Sequence, residues 1–109
     1  MTISTHVLDI SRGAPAAQVE IVLYALDGSA RREAARARTG ADGRIAGPLG
    51  GELPAGEYEL EFDAGAYFAA HGTRGFFGRV PVRFRLEDAG HYHVPLLISP
   101  WGYSTYRGS

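Results

Sequence analysis

The chain has 109 residues, 45% of them hydrophobic, and a formal net charge of −1, which suits one globular domain over residues 1–109. It has no cysteine, so a disulfide framework and a thiolate zinc site are both excluded. The basic stretch from Arg31 to Arg38 is broken by Glu33 and alanines, unlike the basic face of a nucleic-acid binder, and no apolar run approaches the ~20 residues of a membrane span.

The opening Met1-Thr2-Ile3-Ser4-Thr5-His6 lacks the charged-then-apolar layout of a signal peptide, so a cytoplasmic location is expected. Ile3 to Ile10 reads as a first strand, with Thr5, Val7 and Asp9 on one side and His6, Leu8 and Ile10 on the other. Asp9 at its end is expected to fix a turn. Val19 to Leu26 alternates, with Val19, Ile21 and Leu23 sharing a face, and Asp27-Gly28 turns the chain. Ala30 to Thr39 suits a helix by propensity, but the Asp-Gly pairs on both sides favour a polar edge strand. Gly43-Arg44-Ile45 begins a short strand, and a Gly/Pro-rich loop follows through Gly56.

Glu57 to Phe62 is the next strand, with Tyr58, Leu60 and Phe62 inward. Asp63 caps the one helix, Ala64 to His71. Val80 to Leu86 and His91 to Ser99 are strands, and Pro100 with Gly102 leads into a last one, Tyr103 to Arg107. About eight short strands and one helix indicate an all-β sandwich.

Histidine has the proton affinity that acid–base work at neutral pH needs. On their strand, His91 and His93 share a face with Pro95 and Leu97, opposite the apolar set Tyr92, Val94, Leu96 and Ile98. Polar chemistry beside apolar side chains suggests a face covered by another subunit or lining a pocket. Spacing alone leaves three readings open: plain surface, acid–base catalysis, or zinc held by His6, His91 and His93. His71 at the helix end is a favourable C-terminal charge.

The run His91-Tyr92-His93-Val94-Pro95-Leu96-Leu97-Ile98-Ser99-Pro100, continued by Tyr103-Ser104-Thr105 and ending Tyr106-Arg107-Gly108-Ser109, closely resembles that of the 5-hydroxyisourate hydrolases. Ser4-Thr5-His6-Val7-Leu8-Asp9 with Gly13-Ala14-Pro15-Ala16, and Thr39-Gly40-Ala41-Asp42-Gly43-Arg44, match two further motifs of that family. The Tyr-Arg-Gly-Ser ending separates these enzymes from the transthyretin carriers. Gly78 and Trp101 stand where the family more usually has proline and tyrosine.

The resemblance implies a transthyretin-like sandwich of two four-stranded antiparallel sheets with one short helix. It further implies a homotetramer, a dimer of dimers, with active sites in the channel between dimers. His6, Arg44 and His93 would be catalytic. His6, Arg44, Tyr106 and Ser109 would bind the small-molecule substrate, with His91 a further candidate on the same face. The reaction implied is hydrolysis of the cyclic amide of 5-hydroxyisourate to 2-oxo-4-hydroxy-4-carboxy-5-ureidoimidazoline. It needs no metal or other cofactor, and neither nucleic acid nor membrane as a partner. Either His6 or His93 could be the base. The alternative function is a small-ligand carrier without catalysis.

Overall fold

The computed structural model describes residues 1–109. In chain order the elements are β1 (Thr2–Ser4), β2 (Val7–Asp9), β3 (Ala14–Pro15), β4 (Glu20–Asp27), β5 (Ala30–Arg38), β6 (Gly56–Asp63), α1 (Ala64–Ala70), β7 (Arg79–Leu86), β8 (His91–His93), β9 (Leu96–Ser99) and β10 (Gly102–Thr105). One four-stranded sheet runs β5-β4-β6-β7, a second runs β10-β9-β2-β3, and β1 pairs with β8 beside it.

The β5-β4-β6-β7 sheet is antiparallel throughout and forms where apolar and charged residues alternate most strictly. Its inner face carries Ile21, Leu23, Leu60, Phe62, Val80 and Leu86, each at most 1% exposed. These pack against Val7, Leu96 and Ile98 of the other sheet in one core. Burying each such side chain contributes roughly 1.5–3 kcal/mol. Pro81 is tolerated because β7 is an edge strand with one side free of ladder bonds. On β5, alternation slips at a bulge: Leu23 faces Ala35 while Tyr24 faces Glu33, leaving Ala34 over. Ala30–Arg38 suits a helix by composition and yet is a strand, as the Asp-Gly pairs on both sides suggested.

The second layer departs from the expected all-antiparallel form. β2 runs parallel to β9, and β1 parallel to β8. The expected first strand is broken at Thr5–His6, and the expected strand from His91 to Ser99 is broken at Val94–Pro95. The two breaks lie side by side. Pro95 has no N–H to donate, and Thr5, buried there, donates its hydroxyl to the Val94 carbonyl at 2.6 Å. Gly43-Arg44-Ile45 forms no strand; only an isolated bridge joins His6 to Arg44. The last strand stops at Thr105, so alternation does not carry on to Tyr106.

The helix forms as expected, with Asp63 accepting from the Ala66 N–H at 3.1 Å. No helix is long and apolar enough to cross a membrane. Its Tyr67 donates to Asp9 at 2.9 Å and accepts from Arg12 at 3.1 Å, fastening the helix to the turn after β2. Burial pushes the Asp9 carboxyl up, but hydrogen bonds from Ser11, Tyr67 and the Ser11 and Arg12 amides outweigh it and hold it below the usual range. Asp9 is therefore the turn-fixing residue the sequence suggested.

Candidate active site

The two strand breaks set the site. At the first, His6 leaves the regular ladder, though its carbonyl still accepts from the Leu96 N–H at 3.0 Å. Its ring is then free to turn toward the loop before Arg44, where Nε2 donates to the Asp42 carbonyl at 2.8 Å. A carbonyl can only accept, so the neutral His6 ring carries its proton on Nε2 and keeps its lone pair on Nδ1.

The loop that presents Arg44 is closed by its own backbone. Gly40 N–H donates to the Arg44 carbonyl at 2.7 Å, Gly43 N–H to the Gly40 carbonyl at 2.9 Å, and Arg44 N–H to the Asp42 carboxylate at 2.9 Å. Gly43 sits at φ 76°, and a Cβ there would collide with the Val7 carbonyl oxygen. Only glycine fits so close a crossing. The Arg44 side chain is exposed, and its guanidinium has no partner in the chain, while arginines on the outer sheet face are tied into ion pairs. It is an unspent cation beside two imidazoles.

His93 is half-buried at the end of β8. Its Nδ1 shares a hydrogen bond with Ser4 Oγ at 2.8 Å, which leaves Nε2 as the open nitrogen. Burial first, then the charges of Arg44, His6 and His91, hold its proton affinity below the ordinary histidine value. His93 is therefore neutral at pH 7. The C-terminal tail folds back onto it: Gly108 N–H donates to the His93 carbonyl at 2.7 Å, and a Cβ on Gly108 would lie 2.6 Å from His93 Cδ2.

His6, Arg44 and His93 thus come together from three separate segments, and Ser109 follows directly on the tail residue packed against His93. Tyr106 does not join them within one chain. It lines a groove with Phe84, Tyr92 and Val94 that none of the three borders. His91 is exposed, and both its ring nitrogens are engaged, by Thr2 at 2.7 Å and Ser4 at 2.8 Å. No group of three histidine, aspartate or glutamate side chains is placed to hold a metal ion. Ser4 opens one of the family motifs and Thr2 belongs to none; the signal that joins them is a period-two spacing that matches His91 and His93, which the parallel register of β1 and β8 makes partners.

The HIUase/Transthyretin family model matches residues 3–108. A 5-hydroxyisourate hydrolase of Mesorhizobium japonicum is 55% identical over 113 residues, spanning 98% of this chain and 91% of that protein. The structure of Klebsiella pneumoniae 5-hydroxyisourate hydrolase is similar with a TM-score of 0.89 at 44% identity, over 100% of both chains. Sea bream transthyretin in complex with thyroxine is similar with a TM-score of 0.92 at 29% identity, over 99% of this chain and 95% of that one. The family motifs at both ends of the chain, the sandwich and the length of these matches agree: the chain belongs to the HIUase/Transthyretin family.

Proposed function

We propose that the chain catalyses the hydrolysis of 5-hydroxyisourate, with His93 as general base, Arg44 as the clamp for the developing oxyanion and His6 beside them. The observation that carries the reading is the geometry of His93. Ser4 holds its Nδ1, its Nε2 is open, and burial with the neighbouring charges of Arg44, His6 and His91 favours the neutral ring. Nε2 takes a proton from water as the oxygen attacks the ring carbonyl. The carbonyl oxygen gains negative charge, which Arg44 meets with a planar, permanently charged fork. When the C–N bond breaks, the protonated His93 returns its proton to the leaving nitrogen. A positioned base contributes ~10²–10⁴-fold, and an oxyanion contact about 3–4 kcal/mol.

His6 orients the water or substrate through Nδ1, since its Nε2–H is committed to the Asp42 carbonyl. Ser109 extends the substrate site from the tail held on His93. Catalysis uses no metal in this reading, since histidine, arginine and water supply every step. The site lies open in a single chain, with Arg44 and His91 exposed, and closing it against water calls for a second subunit. That supports a homotetramer with sites between dimers, in which Tyr106 meets substrate held by a neighbouring subunit.

The likeness to a thyroxine-binding transthyretin favours a second reading, a carrier. A carrier has no use for a neutral imidazole beside a free guanidinium. Freshly generated 5-hydroxyisourate, followed by its absorbance, separates the two: the enzyme accelerates the decay over the spontaneous rate, and a carrier leaves it unchanged. Arg44→Lys should lower turnover by at least ~10-fold, because an ammonium cannot make paired contacts. A silent lysine variant would remove Arg44 from the site.

A further inference from the structure

The outer face of β1 and β8 holds four hydrogen-bonding side chains in an unbroken line. Thr2 Oγ1 lies 2.7 Å from Nδ1 of His91. Nε2 of His91 lies 2.8 Å from Ser4 Oγ, and the same oxygen lies 2.8 Å from Nδ1 of His93. The line follows from register: parallel pairing sets Thr2 beside His91 and Ser4 beside His93, and period-two alternation turns all four to one face.

A neutral imidazole has one donor and one acceptor nitrogen, and a hydroxyl has a single proton to give. With the Ser4 proton given inside the line, it runs wholly one way or wholly the other; with that proton given outside it, Ser4 accepts from both rings and His93 is again the Nδ1–H tautomer. In the first direction His93 Nδ1–H donates to Ser4, Ser4 donates to His91 Nε2, and His91 Nδ1–H donates to Thr2. His93 Nε2 then carries a lone pair. In the second direction Thr2 donates to His91, His91 to Ser4 and Ser4 to Nδ1 of His93, so Nε2 carries the proton and is no base. Arg44, whose charge already opposes protonation of His93, is better met by a lone pair than by an N–H on the nitrogen that Ser4 does not hold.

We propose that His91 is a positioning residue which, through Ser4, holds His93 in the Nδ1–H tautomer and so keeps its Nε2 lone pair available to the substrate. This rests on the reading of His93 as general base. His91 touches no substrate; it fixes the direction of the hydroxyl of Ser4, as a carboxylate or carbonyl fixes the ring in other histidine sites. Its exposure fits the role, because the ring needs only its two hydroxyl partners and no apolar packing.

The test uses the full chain in its native assembly. The ring nitrogens of His93 are read by long-range proton–nitrogen-15 correlation in the wild type, Ser4→Ala, His91→Phe and the double variant, and each is assayed on 5-hydroxyisourate. The wild type should show His93 as the Nδ1–H tautomer, and both single variants a mixture of tautomers. In each, kcat should fall about tenfold, a part of the full worth of a base, with KM little changed. The double variant should fall no further, and Ser4→Thr, which keeps the hydroxyl, should restore the wild-type tautomer. His93 found as Nε2–H in the wild type, an unchanged tautomer in both variants, or additive losses in the double variant would each overturn the proposal. A wild type that did not hydrolyse the substrate would instead sink the functional reading, while the nitrogen spectra still decided the tautomer.

Discussion

The two layers of the sandwich solve the same folding problem with different amounts of regularity. In the β5-β4-β6-β7 sheet, strands of 8 or 9 residues pair in long antiparallel runs. Its inner strands β4 and β6 are paired on both sides, and the outer side chains satisfy one another. Glu59 bridges Arg31 at 2.8 Å and Arg83 at 2.9 Å, and Glu20 draws in Arg36 at 3.2 Å. In the opposite layer the strands have 2 to 4 residues and break where Thr5 and Pro95 meet. There the side chains hydrogen-bond to loop carbonyls and hydroxyls, and Arg44 is left without a partner. The regular layer closes on itself; the interrupted one leaves donors, acceptors and charge for a ligand.

Removing the chemistry from the interrupted layer should leave the fold standing. His93→Ala is expected to lower turnover ~10²–10⁴-fold, the worth of a general base, with circular dichroism unchanged. Turnover close to wild type would pass the role of base to His6. Deleting Tyr106 to Ser109 should cost at least ~10²-fold, since the tail packs on His93 through Gly108. A folded, truncated protein with normal turnover would separate the tail from catalysis.

The pH profile sharpens the same point. Because the His93 proton affinity is lowered, the acid-side decline of kcat/KM should lie at lower pH than the titration of an ordinary histidine. Arg44→Met removes one cause of that lowering, so the decline should move to higher pH. A profile that stays in place would mean that Arg44 does not act on His93.

The regular layer was legible in the sequence because its signal is local. Val19, Ile21 and Leu23, or Tyr58, Leu60 and Phe62, declare an inner face within a few residues, and all six are buried. The site was legible only in part. His6, Arg44 and His93, which the fold brings together, were named through family motifs, and the period-two reading put His91 and His93 on one face. The breaks at Thr5 and Val94 were hidden because each depends on the other: a buried threonine hydroxyl and a missing proline N–H have meaning only once β1 and β8 lie side by side. Thr2 and Ser4 escaped for the same reason, since parallel register is not visible in one strand. Tyr106 was expected inside the last strand, Tyr103 to Arg107, but the strand ends one residue before it.

A smaller effect is expected where the loop after β5 meets β2 at Gly43. Gly43→Ala forces a side chain onto a residue at φ 76° and against the Val7 carbonyl oxygen, at a cost of roughly 1–3 kcal/mol. The Arg44 loop must also move away from His6. Urea unfolding should therefore show a lower midpoint, with turnover reduced as well. A loss of stability alone, with turnover intact, would show that the loop can shift without displacing Arg44.

The smallest functional effect should come from the regular layer. Glu59 is 3% exposed, and its two oxygens are taken by Arg31 and Arg83, so it is the one buried acid of the outer ion network. Glu59→Gln keeps the shape and one acceptor but removes the charge. Arg31 retains Glu61 at 3.2 Å, and Arg83 is free to turn into solvent, so neither arginine is stranded. The loss should be about 1.5–3 kcal/mol, that of a hydrogen bond to a charged group, and smaller in high salt, which screens the exposed arginines in the wild type. Turnover should not change, because the network lies on the face of the sheet turned away from the core and from the interrupted layer beyond it. Urea unfolding at two salt concentrations, beside the hydrolysis assay, measures both. If Glu59→Gln lowered turnover at wild-type stability, the regular layer would be shaping the site after all, and the division between a layer that closes on itself and a layer that serves the ligand would not hold.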